Sequence, residues 1–387
     1  MTNRTELSWP PPGEDGTPHE HLPEDAFEVP AAPAVAPGFY LRIVLADIAM
    51  SQAQLALRSG LSTKHVNQLA QGLVPLTPDT ALLFERVTGV PSRVWNGLES
   101  RYQELLTHKR SLQELEKHGE WLSRFPLQRL EDEGHLASQD DTGTQVARVL
   151  DFFRVASPAS YEKVWSGPVA SGFRRANHLS IDHYATATWL RLAELAAQTL
   201  TLSTFNLRAF AEALPSLRSL TLERDDATAL SGLQEKCANL GVAVVFVTEV
   251  PGARTVGAAR WLDSGHPMIV LSGRYRYADI FWFCFFHEAA HIVLHAKRQI
   301  YVDLPAGKGD DADGLEAEAN RAAARYLLGA DFARNLQKGM THRKVRELAR
   351  QVGVDVGIVA GQVAKRFGDW GLYASLRRSI DISAKME

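Results

Sequence analysis

The segment that decides the fold is residues 280–296, IFWFCFFHEAAHIVLHA. Aromatic and aliphatic side chains fall on every face of this segment, which predicts a helix of about residues 277–297 that is buried on all sides. His287 and His291 are four residues apart and share one helix face, so both imidazoles can bind a single metal ion. Glu288 lies beside them, where a carboxylate can act as a general base. The segment therefore predicts a Zn²⁺ site with Glu288 as its catalytic residue.

A hydrolytic zinc site needs a third protein ligand and keeps its fourth position for water. The downstream segment LEAEANRAAARYLL, residues 315–328, offers Glu316 and Glu318, which point about 200° apart on a helix. We choose Glu316, because Asn320 lies one turn further along the same face and can orient a ligating histidine. The two histidines and Glu316 are therefore the predicted ligands, with Asn320 as their outer partner.

Two neighbouring side chains receive other roles. His295 continues the histidine series roughly 6 Å beyond His291 along the helix axis, and we expect it to have a helix-end or surface role. Cys284 lies in the aromatic run and is predicted to be a buried core residue. The alternatives for the motif as a whole are a chance match, or an inactive site that keeps the ion for stability alone.

A second motif occupies residues 51–72, SQAQLALRSGLSTKHVNQLAQG. Its apolar residues are spaced for two short crossed helices around a turn at Gly60, and Ser51 and Ser62 are candidate N-caps. The second helix presents polar side chains of the kind that read base edges in the major groove. The alternative is a small helical bundle that binds protein or nothing. The candidate DNA contacts are Gln52, Ser62, Thr63, Lys64, His65, Asn67 and Gln68.

Residues 37–97, which contain this motif, resemble the Xre-type DNA-binding domains of HigA-like antitoxins. The resemblance rests on SQAQLALRSGLSTKHVNQLAQG and on PLTPDTALLFERVTGVPSRVW, residues 75–95. It implies that the domain binds double-stranded operator DNA and does so as a homodimer.

The C-terminal half resembles the ImmA/IrrE family of metallopeptidases. The matching parts are FWFCFFHEAAHIVLH and LEAEANRAAARYLLGADF, preceded by the β-rich runs VAVVFV, TVGAARW and PMIVLS. The resemblance implies zinc on His287, His291 and Glu316, a zincin-like fold, and cleavage of a repressor protein during stress or mobile-element induction. Ala322 and Ala330 stand where the family has Phe and Pro, which concerns helix packing and helix exit rather than the ligands.

The final segment, residues 345–380, is similar to the tail of such fused proteins and repeats the spacing of the first motif. Leu348, Gly353 and Val354 stand at the spacing of the earlier Leu, Gly and Leu, but Asp355 replaces the serine, and an acid there repels phosphate. We expect a packed helical tail, with a second DNA-binding unit as the alternative.

Together these patterns predict an α+β multidomain protein. Its expected parts are an acidic, proline-rich disordered tail (1–37), an all-α helix-turn-helix domain (38–98), a helical middle region (99–230), a zinc peptidase domain with a small β-sheet (231–335) and a helical C-terminal region (336–387).

Charge and composition narrow the class of protein. The formal net charge is −3, but the tail alone carries seven acids and one base, so the remaining residues are at +3. Residues 38–97 hold five bases and three acids, and such a weak charge favours binding to DNA as a dimer. Two cysteines exclude a disulfide scaffold, and a cytoplasmic location without a membrane span is expected.

Three functions compete at this point. The first is a DNA-binding regulator whose zinc endopeptidase cleaves a transcriptional repressor. The second is a non-enzymatic HigA-like regulator or antitoxin in which zinc is structural or sensory. The third is a housekeeping peptidase with a vestigial helix-turn-helix, which predicts no salt-dependent DNA binding.

Overall fold

The computed structural model describes residues 35–166, 182–295, 301–303, 314–371 and 373–385. The predicted disordered tail lies outside these residues except for its last three positions. The chain divides into two compact units, residues 1–111 and 112–387. The predicted middle, peptidase and C-terminal segments thus fall largely within one unit.

The first unit is helical throughout the part that the structure describes. Its helices are α1 (Pro37–Asp47), α2 (Gln52–Ser59), α3 (Thr63–Ala70), α4 (Pro78–Thr88) and α5 (Ser92–Leu115), the last of which continues past the division at residue 111. Leu55, Val66, Phe84 and Trp95 are buried in its core. These helices confirm the predicted helix-turn-helix-like arrangement at the N-terminus.

The second unit combines helices with one mixed sheet. Its helices are α6 (Gly119–Leu122), α7 (Leu127–Asp132), α8 (Thr142–Phe152), α9 (Pro158–Tyr161), α10 (His183–Gln198), α11 (Leu207–Leu217), α12 (Asp226–Ala238), α13 (Ala278–Leu294), α14 (Leu315–Leu328), α15 (His342–Val352) and α16 (Val356–Phe367). Its strands are β1 (Ala243–Phe246), β2 (Gly257–Trp261), β3 (Pro267–Leu271) and β4 (Tyr301–Asp303). The α+β class is confirmed.

The strand order is β1-β3-β2-β4. Strand β1 runs parallel to β3, with Ala243 opposite Met268, whereas β2 is antiparallel to both β3 and β4. The β2–β3 pair is a hairpin, and its turn over residues 263–265 has the sequence Asp-Ser-Gly, which favours turns. Because the backbone of β1 and β3 is covered on both faces, these strands read as continuous apolar runs.

Alternate residues of the sheet enter two different hydrophobic cores. Val245 and Val270 face a core built with α8 and α10, whereas Val244 and Ile269 face the core that contains α13. This alternation follows from the two-residue period of a strand. Helices α8 and α10 of the predicted middle region therefore cover one face of the sheet, whereas α11 and α12 join the helix with the histidines in the core on the other face.

No helix among the described residues combines the length and the apolar character that crossing a bilayer requires. Most hydrophobic side chains of the very apolar α13 lie in the core that contains Val244 and Ile269, where Trp282, Phe285 and Phe286 are completely buried. The predicted burial on all sides fails at the last residue, Leu294, which is 37 % exposed.

Candidate metal centre and candidate DNA interface

The helix α13 lies directly against the sheet where the histidine motif begins. Gly257 of β2 permits this close approach, because a Cβ at that position would overlap Sγ of Cys284 and would come within 3.3 Å of Cγ of Glu288. Cys284 is 2 % exposed, as the aromatic run predicted for a core residue. The same contact places Glu288 against the β2 backbone, where its side chain is fully buried.

Three side chains with potential ligand atoms converge between α13 and α14. Nε2 of His287 lies 3.0 Å from Nε2 of His291 and 3.1 Å from Oε2 of Glu316, and Nε2 of His291 lies 3.5 Å from Oε1 of Glu316. Both histidine side chains are buried, and the Glu316 side chain is 41 % exposed. These residues form a group that can hold a metal ion.

The spacing and chemistry of the group fit a small divalent cation. A tetrahedral ion with bonds of about 2.0–2.1 Å separates its ligand atoms by roughly 3.3 Å, which is close to the distance between the two Nε2 atoms and to the distance from each of them to an oxygen of Glu316. Two imidazole nitrogens and one carboxylate oxygen suit Zn²⁺ and other first-row divalent ions. The donor set therefore fits the predicted ion but does not by itself select zinc among these metals.

The electrostatics of the group favour the ligating forms of its side chains. Burial lowers the pKa of His291 to about 4, and the hydrogen bond to Glu316 only partly opposes this effect. Burial alone would raise the pKa of Glu316, but the hydrogen bonds to His287 and His291 outweigh it and hold the pKa well below its usual value. At neutral pH the group therefore presents a neutral His291 and an ionised carboxylate.

The outer surroundings of the ligands include His295, for which the sequence predicted a helix-end or surface role. His295 follows α13 as its C-cap residue, as expected for a helix-end role, but its side chain is only 4 % exposed. Its Nδ1 lies 2.9 Å from Nδ1 of His291. The helix-end alternative therefore fits the position of His295 and the surface alternative does not, since Glu318 of α14 lies 3.5 Å from its ring. Asn320 is exposed on α14, and its role as an outer partner stays a prediction.

The first turn of α13 is held by the C-terminal end of the chain. Nε of Arg377 lies 3.0 Å from Oδ2 of Asp279, and its guanidinium stacks on Tyr277 at 4.0 Å from the ring centre. The backbone N–H of Ala278 also donates to the carbonyl of Arg378. These contacts join the C-terminal segment to the start of the metal helix.

The repeated spacing near the C-terminus does form two helices around a glycine turn. Gly353 has φ of +78° between α15 and α16, and Asp355 caps α16 by accepting from the N–H of Gly357. However, α16 buries Ile358, Val359 and most of its other residues against α13. Helix α16 stands where a recognition helix would, but it is buried against α13 and so is not exposed to DNA. Helices α15 and α16 therefore belong to the core of the second unit, as expected for a packed tail.

The first unit contains the helix-turn-helix with the predicted caps. Oγ of Ser51 accepts from the N–H of Gln54 while Oε1 of Gln54 accepts from the N–H of Ser51, which forms a capping box at α2. Gly60 ends α2 in the left-handed region with φ of +75°. Oγ of Ser62 accepts from the N–H of His65 and caps α3. Ser62 therefore stabilises the start of the helix and is also one of the candidate DNA contacts.

The candidate DNA contacts share one side of α3 and the start of α2. Thr63, Lys64 and Asn67 are exposed, whereas His65 and Gln68 are half-buried. Nδ2 of Asn67 donates to Oε1 of Gln52 at 3.3 Å, which joins the two helices through their polar side chains. The predicted residues therefore form one polar surface, and their contacts with DNA stay predictions.

Comparisons with known proteins find similarity over only a small part of the chain. No protein-family model matches the chain, and no curated protein matches it. One similar solved structure is an addiction module antidote protein of a HigA family from Coxiella burnetii, at 29 % identity over 22 % of this chain and 92 % of the other, with a TM-score of 0.21. Another is a protein assigned as an antidote of a plasmid maintenance system from Nostoc punctiforme, at 23 % identity over 21 % of this chain and 91 % of the other, with a TM-score of 0.19. Both likenesses cover about the length of one small domain.

Proposed function

We propose that the protein is a DNA-binding regulator that carries a zinc-dependent endopeptidase, and that its substrate is a transcriptional repressor. The single observation that carries the proposal is the convergence of His287, His291 and Glu316 beside the buried Glu288. A His-Glu-x-x-His helix with a third carboxylate ligand is the ligand pattern of hydrolytic zinc sites. The helix-turn-helix in the same chain supports a regulatory setting for such hydrolysis.

The chain's residues divide the chemistry between them. His287, His291 and Glu316 would hold the ion, and zinc supplies a Lewis acid that acidifies water and polarises a carbonyl group. Glu288 accepts a proton from the attacking water and passes it to the nitrogen of the leaving amine. The apolar residues around α13 exclude bulk water, which strengthens the electrostatic interactions of the buried carboxylate.

The DNA-binding part would act through α3. Thr63, Lys64 and Asn67 are exposed for contacts with bases or phosphates, and the Gln52–Asn67 hydrogen bond holds two candidate contacts in place before DNA binds. We propose that the unit binds double-stranded operator DNA as a homodimer, since two recognition helices would compensate for the weak charge of one domain.

The test compares the wild-type chain with Glu288→Gln. Glutamine keeps the shape of the side chain but cannot accept the proton, so the variant should retain zinc while proteolysis falls by at least about 100-fold. Metal content is measured on the purified proteins, and cleavage is followed by profiling new protein N-termini in cells that express either chain. Equal cleavage by the two chains would refute the catalytic assignment.

The second candidate is a non-enzymatic regulator or antitoxin with a structural or sensory metal site. The observation that favours it is the complete helix-turn-helix, with both N-caps and the left-handed Gly60 in place. On this alternative Glu288→Gln leaves target-gene expression unchanged, whereas Lys64→Ala and Gln68→Ala alter it. The same reporter strain, carrying each variant in turn, separates the two functions.

A further inference from the structure

We infer that His295, together with Glu318, positions His291 for metal binding by fixing which imidazole nitrogen carries the proton. This role deepens the metal site of the proposed function and depends on that site binding a metal. It concerns side chains that are not ligands, and it makes His295 a positioning residue.

The first step is the contact between the two imidazole rings. Nδ1 of His295 lies 2.9 Å from Nδ1 of His291, on the opposite side of the His291 ring from the candidate ligand atom Nε2. A neutral imidazole has one nitrogen that donates and one that accepts. The contact is therefore a hydrogen bond in which one Nδ1 carries a proton and the other does not.

The second step is the requirement of the metal. A ligating His291 must offer the lone pair of Nε2, so its proton must lie on Nδ1. That Nδ1–H donates to Nδ1 of His295, and the proton of a neutral His295 must then lie on its own Nε2. Only this arrangement of protons is compatible with both the hydrogen bond and a bound ion.

The third step is the charge that faces the far side of His295. Oε2 of Glu318 lies 3.5 Å from Nε2 of His295. A carboxylate favours an N–H at that nitrogen and disfavours a lone pair, because the lone pair would meet a negative oxygen. Glu318 therefore favours the His295 tautomer in which Nδ1 accepts from His291.

The two acidic residues of α14, Glu316 and Glu318, have separate roles. Glu316 reaches the two histidines of the motif, whereas Glu318, two residues later, reaches the histidine beyond them. One helix thus supplies both a ligand and the carboxylate that orients another ligand through His295. A carboxylate or carbonyl usually accepts the N–H of a metal-binding histidine directly. Here the imidazole of His295 lies between His291 and the carboxylate of Glu318.

The test measures Zn²⁺ affinity by competition with a chromophoric chelator, and it uses the full chain. His295→Phe keeps a flat ring but removes the acceptor, and should weaken zinc binding by about 10- to 100-fold. His295→Asn places an amide oxygen near the original Nδ1 and should restore most of the affinity. The d–d spectrum of the Co²⁺-loaded chain should change in the phenylalanine variant and return towards the wild-type spectrum in the asparagine variant.

A double-mutant cycle tests the role of Glu318. Glu318→Leu should weaken zinc binding in the wild-type background but have little effect in the His295→Asn background, where no tautomer remains to be selected. His266→Asn is the matched control, because His266 also makes a hydrogen bond through Nδ1, at 3.0 Å to the carbonyl of Gly241. This control should leave zinc affinity and the Co²⁺ spectrum unchanged.

The outcomes distinguish failure of the positioning role from failure of the proposed function. If wild-type protein and all variants bind zinc tightly and equally, His295 has no positioning role and the inference is wrong. If the wild-type chain binds no zinc, the metal site itself fails and both proposals are overturned. If zinc affinity follows the expected order but Glu288→Gln still cleaves protein, only the catalytic assignment fails.

Discussion

Arg377 and Asp279 form a buried ion pair between the C-terminal segment and the first turn of the metal helix. Nε of Arg377 lies 3.0 Å from Oδ2 of Asp279, and the two side chains are 8 % and 6 % exposed. Gly361 of α16 leaves room for this pair, since a Cβ there would overlap the Asp279 carboxylate. The position of α13 therefore depends on residues that follow it by more than eighty positions.

Removing one partner should destabilise the second unit. Arg377→Met leaves the Asp279 carboxylate buried without its counter-ion, and we expect the free energy of unfolding to fall by about 3 kcal/mol. Urea denaturation followed by tryptophan fluorescence measures the change. Arg208→Met is the control, because Arg208 is 89 % exposed in its pair with Glu212. The control should shift stability by less than about 0.5 kcal/mol.

The loss of stability in Arg377→Met should depend on pH. Burial raises the pKa of Asp279 above its ordinary value, and the guanidinium of Arg377 only partly opposes this effect. A carboxyl whose folded-state pKa is raised contributes stability below its unfolded pKa and loses it as pH rises through the folded pKa. Without Arg377 the pKa should rise further, so the variant should be closer to wild type at pH 4 than at pH 7. An equal loss at both pH values would contradict this reasoning.

A pair of helical glycines should respond in opposite directions. A Cβ on Gly38 of α1 would overlap the carbonyl oxygen of Leu69, so Gly38→Ala should destabilise the first unit by about 1–3 kcal/mol. Gly97 of α5 has open space at the same position, and Gly97→Ala should stabilise the helix by about 1 kcal/mol. In thermal unfolding, Tm should fall for Gly38→Ala and rise for Gly97→Ala. A lower Tm for both variants would show that the space around Gly97 is not open.

The parts of the site that could be predicted from the sequence are the local ones. His287 and His291 are brought together by the period of one helix, and the apolar faces of that helix require burial wherever it packs. Glu316 could be chosen because its neighbour Asn320 shares its face, which is again a property of one helix. Each of these inferences depends on residues within a few turns of one another.

The parts that could not be predicted depend on packing between distant elements. The burial of His295 requires α14 to cover the end of α13, and nothing in the local sequence of His295 specifies that contact. The pairing of Asp279 with Arg377 joins positions that no periodicity relates. The burial of α16 follows in the same way, because a helix-turn-helix spacing indicates two crossed helices but not which face another helix covers.

Zinc should stabilise the folded chain by an amount that grows with the logarithm of its free concentration above Kd. A ligand that binds only the native state adds about 2.7 kcal/mol when its concentration is 100 times its Kd. Zinc should therefore raise the Tm of the wild type and of Glu288→Gln, and a chelator should reverse the rise. His287→Ala lacks one ligand, and its Tm should respond little to zinc at the same concentration. A rise of equal size in this variant would place the ion elsewhere.

DNA binding through α3 should carry a measurable salt dependence. Duplexes selected from a random library by the wild-type chain provide the probe, and fluorescence anisotropy at several salt concentrations gives the affinity. If Lys64 contacts a phosphate, Lys64→Ala should reduce the slope of log K against log salt by about 1 for each protomer that contributes it. Arg86→Ala removes an equal charge from the exposed surface of α4, a helix that holds none of the candidate DNA contacts, and should alter the slope less. The slope reports how many protein cations neutralise phosphates. A larger reduction of the slope by Arg86→Ala than by Lys64→Ala would therefore assign the phosphate contact to α4 rather than α3.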